Sequence, residues 1–176
     1  MSEMAIAIMD AAERRIRAAG FNGFSFREIA ADVGVKSSSV HHHFPTKEKL
    51  AAAVIHRYTQ EVAELIEKEL ATKGADPVKV WTRAFRGTLH SAEQMCPCAV
   101  LGAVSSDLPR EVAMEVKGFF QMCLDKLVAG GLSSNGAAEL LATITGALVV
   151  SNALDDRATY DRATKELVRK SSQLHT

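Results

Sequence analysis

Helical periodicity runs through almost the whole chain, and it constrains the fold more than any other feature. Apolar residues recur at three- and four-residue spacings from the start, as in Ile8, Ala12 and Ile16. No segment alternates apolar and polar residues over more than a few positions, which is the pattern of a half-buried strand. We therefore predict an all-α protein of about nine helices in the 176 residues.

Composition is that of an ordinary globular protein, with 47% hydrophobic and 24% charged residues. The sequence contains no run of about 18 apolar residues, so it does not suggest a membrane span. The acids Glu3, Asp10 and Glu13 stand where a signal peptide would carry basic residues. Three cysteines, an odd number, argue against a secreted disulfide scaffold. We therefore expect a cytoplasmic protein without a membrane partner.

Positive charge is concentrated near the N-terminus, although the net charge of the chain is zero. Residues 14–57 contain eight basic and three acidic residues, a net charge of +5. Residues 58–176 contain 13 basic and 15 acidic residues, a net charge of −2. A basic segment on a neutral body is common in nucleic-acid-binding proteins, and it also fits a solvated surface.

Two short helices joined by a tight turn are predicted within residues 25–44. Ser25, followed three residues later by Glu28, is a capping box that starts the first helix. Gly34 permits a turn, and a second helix follows from Val35 to about His43. Its N-terminal residues, Lys36–Ser39, are small or basic and could approach base edges in a major groove. The pattern therefore predicts a helix-turn-helix.

The following residues complete the motif. The Phe44-Pro45 pair ends the second helix, because the residue before a proline disfavours helical geometry. Thr46 caps a long helix that starts near Lys47. The segment GFNGFSFREIAADVGVKSSSVHHHFPTKEKL, residues 20–50, closely resembles the DNA-binding domain of TetR-family transcriptional repressors, and the resemblance covers about residues 5–52. It implies an N-terminal three-helix DNA-binding domain, residues 1–52, and a helical effector-binding and dimerisation domain, residues 53–176.

The resemblance also assigns DNA-contacting residues by position. Ser25 and Lys47 would contact phosphate, and His42 would lie near the DNA backbone. Lys36, Ser37, Ser38 and Ser39 would lie in the groove. The family often has Gly at position 38 and Tyr at position 41, where this chain has Ser38 and His41. His41 could still donate to a phosphate, and because histidine gains charge near neutral pH, operator affinity could depend on pH.

The three adjacent histidines also raise the possibilities of a metal site and a hydrolase. Neighbouring residues on a helix point about 100° apart, so His41, His42 and His43 cannot close on one metal ion. His43 is expected to pack or cap beside Phe44. No Gly-x-Ser-x-Gly sequence supports a serine hydrolase. We expect no catalytic residue, no metal and no cofactor.

The helical domain has large, adaptable side chains for an effector cavity. His90 is the candidate polar group. Plain core packing is the alternative for each residue. The candidate lining residues are Trp81, Phe85, His90, Met95, Cys98, Met114, Phe119, Phe120 and Met122.

Cys96 and Cys98 flank Pro97, which suggests that Cys96 lies in a bend and Cys98 at a helix start. A helix N-terminus lowers a thiol pKa, so one of them could sense oxidants or electrophiles, with Cys123 as partner. Buried structural cysteines are the alternative. A thiolate metal site is a further one, in which His90 would be the additional ligand nearby in sequence.

The predicted helix over residues 136–154 is apolar on nearly all sides, so it must be buried on all sides. We expect a homodimer through this helix and the one over residues 158–169, as the resemblance also implies. Gly146 and Ala147 would allow close approach. Twofold symmetry then predicts a roughly palindromic operator.

These features predict a dimeric, ligand-responsive repressor that an unknown small-molecule inducer releases from double-stranded operator DNA. One alternative keeps DNA binding but makes modification of Cys96, Cys98 or Cys123 the trigger. Another is an enzyme or small-molecule carrier that does not bind DNA. Activation in place of repression is also open.

Overall fold

The computed structural model describes residues 1–89 and 95–173, and within these ranges it contains nine α-helices and no strand. Two short 3-10 helices lie at Phe21–Gly23 and Ser105–Asp107. The prediction of an all-α protein is confirmed. The α-helices are α1 Glu3–Ala19, α2 Phe26–Val33, α3 Ser37–His43, α4 Lys47–Leu70, α5 Pro77–Gly87, α6 Pro97–Gly102, α7 Arg110–Ala129, α8 Ser134–Ala153 and α9 Arg157–Gln173.

The turn between α2 and α3 follows from local signals. Ser25 Oγ accepts a hydrogen bond from the Glu28 amide at 3.3 Å and donates one to the Glu28 carboxylate at 2.8 Å. Gly34 ends α2 with φ 76° and ψ 33°, a left-handed conformation that suits glycine. The Val35 amide donates back to the Ala30 carbonyl at 2.9 Å. Val35 therefore belongs to the turn, and α3 begins at Ser37, two residues later than predicted.

Packing divides the chain into two compact units. Unit 1 comprises residues 1–59 and 97–119, and unit 2 comprises residues 60–89, 95–96 and 120–173. This division differs from a single boundary after residue 52. Residues 97–119 belong with the N-terminal helices because α6 packs on α1. The unit boundaries fall within α4 and α7.

In unit 1, a continuous apolar core fixes the short helices. Ile16 of α1, Ile29 of α2, Val40 of α3 and Leu50 of α4 are fully buried. Leu101 of α6 is fully buried as well. Because α3 has only seven residues, the burial of Val40 is what orients it.

In unit 2, α5, α8 and α9 pack on one another. Tyr160 is fully buried, and its hydroxyl donates to the Thr82 carbonyl at 2.9 Å. Burial raises the pKa of the Tyr160 hydroxyl above its ordinary value. Arg86 holds Asp161 through Nε at 2.5 Å and Nη2 at 2.8 Å, which also ties α5 to α9.

Helix α8 is only partly covered. Its buried side includes Ile144, Leu148 and Ala147, so Ala147 packs inside its own chain and does not face outward as the sequence suggested. The open side includes the polar residues Glu139 and Asn152, and its apolar part is formed by Ala138, Ala142, Gly146, Val149 and Val150. An apolar helix face that is exposed in a single chain is typical of a surface that binds another molecule.

By length and mean hydropathy, 1.3 over its most apolar window, α8 is also the one helix of the described chain that could span a membrane. Counting consecutive apolar residues had not revealed this. Of that window, 39% is buried inside the protein. That burial comes from packing on α9 and α5.

Candidate functional site

The helix-turn-helix presents α3 to solvent on the face opposite Val40. Lys36, at the N-cap of α3, is exposed, and so is Ser38. Ser37 and Ser39 are half-buried at the same end of the helix. These short side chains leave the first turn of α3 open to a close approach by another molecule, as insertion into a DNA groove requires.

The histidines at the end of α3 have distinct surroundings. The exposed His41 ring packs edge-to-face on Phe26, with centroids 4.5 Å apart and planes at 71°. His42 is exposed and His43 half-buried, and their rings are 5.4 Å apart. Within residues 1–89 and 95–173, no three His, Cys, Asp or Glu side chains are grouped as a metal site.

The two residues assigned to phosphate are both engaged within unit 1. Ser25 is exposed, but its hydroxyl is committed to Glu28 in the capping box. Lys47 is half-buried at the start of α4, with Nζ 4.6 Å from the ring centroid of Phe21 and 4.7 Å from that of Phe24. Burial lowers the pKa of Lys47. The negative charges of the neighbouring Glu48 and Glu28 partly offset this decrease.

Half of the eight basic residues in segment 14–57 are neutralised by ion pairs. Arg15 Nε lies 2.5 Å from Asp32, and the hydrogen bond from Arg15 lowers the pKa of that carboxyl. Arg17, Lys49 and Arg57 also hold carboxylates. The other four, Arg14, Arg27, Lys36 and Lys47, have no ion pair among the described residues. The charge available for DNA is therefore carried by these four side chains.

A buried ion cluster joins α1 to α4. Arg57 of α4 contacts Asp10 at 2.7 Å and Glu13 at 2.8 Å, and Arg17 contacts Glu13 at 2.6 Å. Burial disfavours the charge on Arg57, but the hydrogen bonds that Arg57 donates to Glu13 and Asp10 outweigh this effect and raise its pKa. The Arg17 guanidinium also lies 5.1 Å from the ring centroid of Tyr58. These contacts fix the first half of α4 to the helix that supports the helix-turn-helix.

Two further contacts join α4 to the first half of α7. Lys49 Nζ lies 2.6 Å from Glu111, and His56 Nδ1 lies 3.2 Å from Glu115. Both pairs are largely exposed, so each contributes little to stability. Both acids belong to residues 97–119, so the two pairs connect α4 to α7 within unit 1.

The residues proposed for an effector cavity are scattered. Trp81, Phe85 and Met95 are buried in unit 2, and Met122 there is half-buried. Met114, on α7 in unit 1, is 61% exposed. The remaining candidates divide as follows: Cys98 and Phe119 are buried in unit 1, Phe120 lies in unit 2, and His90 lies outside the described residues.

Unit 2 has an open apolar groove of about 330 Å³ between α7 and α8. Its lining residues are Phe120, Leu124, Ala138, Leu141, Ala142, Thr145 and Gly146. Among the predicted cavity residues, Phe120 alone lines it. The groove runs beside the open face of α8, so it belongs to the same uncovered surface.

All three cysteines are buried and none forms a disulfide. Burial raises the pKa of the Cys123 thiol above its ordinary value, and the neighbouring Cys96 adds to the effect. Cys98 stands in the first turn of α6, as predicted. Burial keeps thiols protonated and shielded from reagents, which favours a structural role.

Sequence reasoning missed three residues at this surface. Arg27 is exposed in the first turn of α2 and has no ion pair within the described ranges. Its position after the Ser25 N-cap could have revealed it. Phe21 and Phe24 were noted as part of the motif, but their contact with Lys47, 23 to 26 positions away, has no local signal.

Comparisons with known proteins agree with this geometry. The sequence model described as "Bacterial regulatory proteins, tetR family" matches residues 8–54. No curated protein matches the chain. A TetR-family transcriptional regulator from Agrobacterium tumefaciens is 28% identical, with a TM-score of 0.85 over 95% of this chain and 96% of that one.

Two more distant structures share the fold. A TetR transcriptional regulator from Legionella pneumophila is 22% identical, with a TM-score of 0.87 over 97% of this chain and 98% of that one. The reduced form of E. coli NemR is 17% identical, with a TM-score of 0.76 over 94% and 96%. Residues 8–54 thus match the N-terminal model of the tetR family of bacterial regulatory proteins, and the whole chain is similar in fold to TetR-family transcriptional regulators.

Proposed function

We propose that the protein is a homodimeric transcriptional repressor that binds a roughly palindromic operator in the cytoplasm and leaves it when a small-molecule inducer binds. The observation that carries the proposal is the geometry of α3. Val40 anchors the helix, while Lys36 and Ser38 remain exposed at its open first turn. Lys36–Ser39 would read base edges in the major groove, and serine hydroxyls can donate or accept there.

The unpaired cations support the backbone contacts. Arg27 and Lys47 each stand at the start of a helix and have no ion pair with a carboxylate in the described structure. Phosphate contacts of this kind position a protein on DNA and make its affinity salt-dependent. His41 and His42 would add donors near the backbone. Because Ser25 is engaged with Glu28, its phosphate contact would require the hydroxyl to turn away from that carboxylate.

The dimer is supported by the open face of α8. Val149 and Val150 are 46% and 47% exposed, and Ala138, Ala142 and Gly146 form a stripe of small residues beside them. A second copy, bringing its own α8 and α9, would cover this apolar face and the adjacent groove. Two recognition helices related by a twofold axis would then meet successive major grooves, 34–36 Å apart or a multiple of that distance.

For an inducer that binds in unit 2 to release the protein from DNA, its binding must change the position of α3. Helices α4 and α7 each contribute residues to both units. Within unit 1, α4 is held by the Arg57 cluster on α1 and by Glu111 and Glu115 on α7. A ligand that binds one arrangement of these helices better than the other would shift the spacing of the two recognition helices.

The inducer site is proposed in unit 2 around Trp81. Phe85 lies 6.1 Å from it, between ring centroids, and Trp81 Nε1 is buried with no hydrogen-bond partner among the described residues. A ligand acceptor at this nitrogen would remove the cost of an unpaired buried donor. Since Trp81 is the only tryptophan, its fluorescence would report binding directly.

A thiol trigger is the second candidate. The burial of Cys96, Cys98 and Cys123, with the raised pKa of Cys123, makes it the weaker one. Activation in place of repression would use the same DNA contacts and differ only in where the operator lies.

The test is a binding titration of the purified, reduced protein on the DNA upstream of its own gene, with scrambled DNA as control. We expect tight binding that discriminates sequence and weakens steeply with salt. Lys36→Ala should weaken binding, and Lys117→Ala, which removes an exposed lysine of α7, should not. If full reduction, ligand removal and selection from random sequences still gave no specific duplex, the repressor would be refuted.

A further inference from the structure

The ammonium of Lys47 lies in a corner formed by two aromatic rings. Its Nζ is 4.6 Å from the Phe21 centroid and 4.7 Å from the Phe24 centroid. The rings are 6.3 Å apart with planes at 81°, so their faces meet almost at right angles around the cation. Phe24 is only 2% exposed and is fixed by the core, whereas Phe21 is half-buried at the edge.

The two rings hold the ammonium in place, but they leave its N–H donors without oxygen acceptors. Aromatic faces attract an ammonium electrostatically within about 6 Å. Lys47 has no hydrogen bond and no ion pair within the described part of the chain. An ammonium has three N–H donors. Donors that point away from the rings are therefore available to an oxygen-rich anion, such as a DNA phosphate.

The other lysines of this region are held differently. Lys36 is exposed and has neither an aromatic nor a carboxylate partner within the described residues. Lys49 is paired with Glu111 at 2.6 Å. A free lysine loses rotamer freedom when it binds an anion, and a paired one must first exchange its partner. Lys47 differs from both, because its position is fixed and its donors are not used.

We propose that Phe21 and Phe24 are positioning residues that hold the Lys47 ammonium in place for contact with a DNA phosphate. The proposal rests on the proposed operator binding, and it adds two apolar residues, which do not touch DNA themselves, to the determinants of affinity. The rings reduce the freedom that Lys47 would otherwise lose on binding, and they leave its positive charge intact.

The first experiment needs no DNA. Protein labelled with 13C-lysine is examined by NMR, and the Lys47 ε-CH2 signal is assigned by its disappearance in Lys47→Met. Ring currents should place this signal upfield of the other lysines, and Phe21→Leu should move it toward them. Phe21→Tyr, which keeps the ring, should retain the shift. A Lys47 signal that coincides with those of exposed lysines in the wild type would overturn the aromatic corner.

The second experiment is a double-mutant cycle in DNA affinity. We expect Phe21→Leu to weaken binding about two- to five-fold, because a lysine that is not held by the ring must give up part of its rotamer freedom on binding. The same substitution in the Lys47→Met background should have no further effect. In the Lys36→Met background, its effect should persist in full, which makes Lys36 the matched control. Circular dichroism and thermal unfolding check that each variant is folded.

The outcomes separate the two proposals. The cycle is run on a specific and on a scrambled duplex, because phosphate contacts do not require a sequence. Equal effects of Phe21→Leu with and without Lys47 would refute the positioning role while leaving operator binding intact. A wild type that binds scrambled and selected DNA equally would refute the operator, and coupling measured on the scrambled duplex would still support the role of the rings. A wild type that binds no DNA would refute both.

Discussion

Substitution of Gly146 by alanine tests whether a second copy covers α8. Gly146 lies inside α8, and a Cβ added there meets no atom of the same chain within 4 Å. Alanine is favoured over glycine inside a helix by about 1 kcal/mol. In an isolated protomer, Gly146→Ala should therefore raise the free energy of unfolding by about that amount.

In a dimer that packs across this face, the same methyl group meets the partner. Overpacking a close contact costs about 1–3 kcal/mol at each site. Twofold symmetry places the substitution at the interface twice, so dimerisation should weaken by about 2 kcal/mol or more, roughly 30-fold in Kd. The gain in helix propensity is the same in protomer and dimer, so it does not offset this loss.

Sedimentation equilibrium measures the dimer Kd, and urea unfolding at low protein concentration measures protomer stability. Gly118 provides the matched control, because it is exposed inside α7 and an added Cβ there also meets nothing within 4 Å. Gly118→Ala should stabilise the protomer and leave dimerisation unchanged. If Gly146→Ala left the dimer Kd equal to that of Gly118→Ala, no close contact at this face would exist and our reasoning would be refuted.

Three further predictions address stability, reactivity and pH. Arg57→Met should lower the free energy of unfolding by about 2 kcal/mol in urea, since it removes a largely buried ion pair. The exposed Arg83→Met should cost less than about 1 kcal/mol, and equal losses would contradict the buried cluster. Iodoacetamide should react slowly with the thiols of the native protein, most slowly with Cys123, and quickly with those of the unfolded protein. A thiol that reacts quickly in the native protein would favour the thiol-sensing alternative. Because burial raises the pKa of Tyr160 above 10.0, its contribution to stability should be complete below about pH 10 and decline as the pH rises further, and Tyr160→Phe should reduce that decline in unfolding titrations.

The helix-turn-helix could be predicted from the sequence because its determinants are local. The Ser25–Glu28 capping box, the turn at Gly34 and the Phe44-Pro45 stop each act within a few residues, and the structure contains all three. The start of α3 was predicted two residues early. The reason is the amide of Val35, which bonds back to Ala30 and closes α2.

The burial of the candidate cavity residues follows the helical period, which residue type alone does not reveal. The buried stripe of α7 includes Val112, Val116 and Phe119. Met114 comes two residues after Val112, about 200° around the helix, and so it faces solvent. The helical period alone could have excluded it. Ala147 was misplaced in the same way, since it lies on the side of α8 that includes Ile144 and Leu148.

The electrostatics could not be predicted from the sequence, because the partners lie far apart in the chain. Arg57 pairs with Asp10 and Glu13, which are 47 and 44 positions away. Counting charges over residues 14–57 gave +5, but Arg57 finds its carboxylates before position 14, where no such count would include them. The excess positive charge that is available to a DNA backbone therefore depends on which cationic side chains the fold leaves without an ion pair.

This distinction changes which substitutions should reveal DNA binding. Removing a paired cation such as Arg57 would release a buried carboxylate, so a loss of DNA affinity could reflect damage to the fold. Removing Lys36 or Lys47 breaks no ion pair within the described residues, so their effects on salt dependence would report phosphate contacts directly. If each contacts one phosphate, Lys36→Met and Lys47→Met should each reduce the salt slope by about one. An unchanged slope in Lys47→Met would place that ammonium away from the DNA, whatever its contact with the rings.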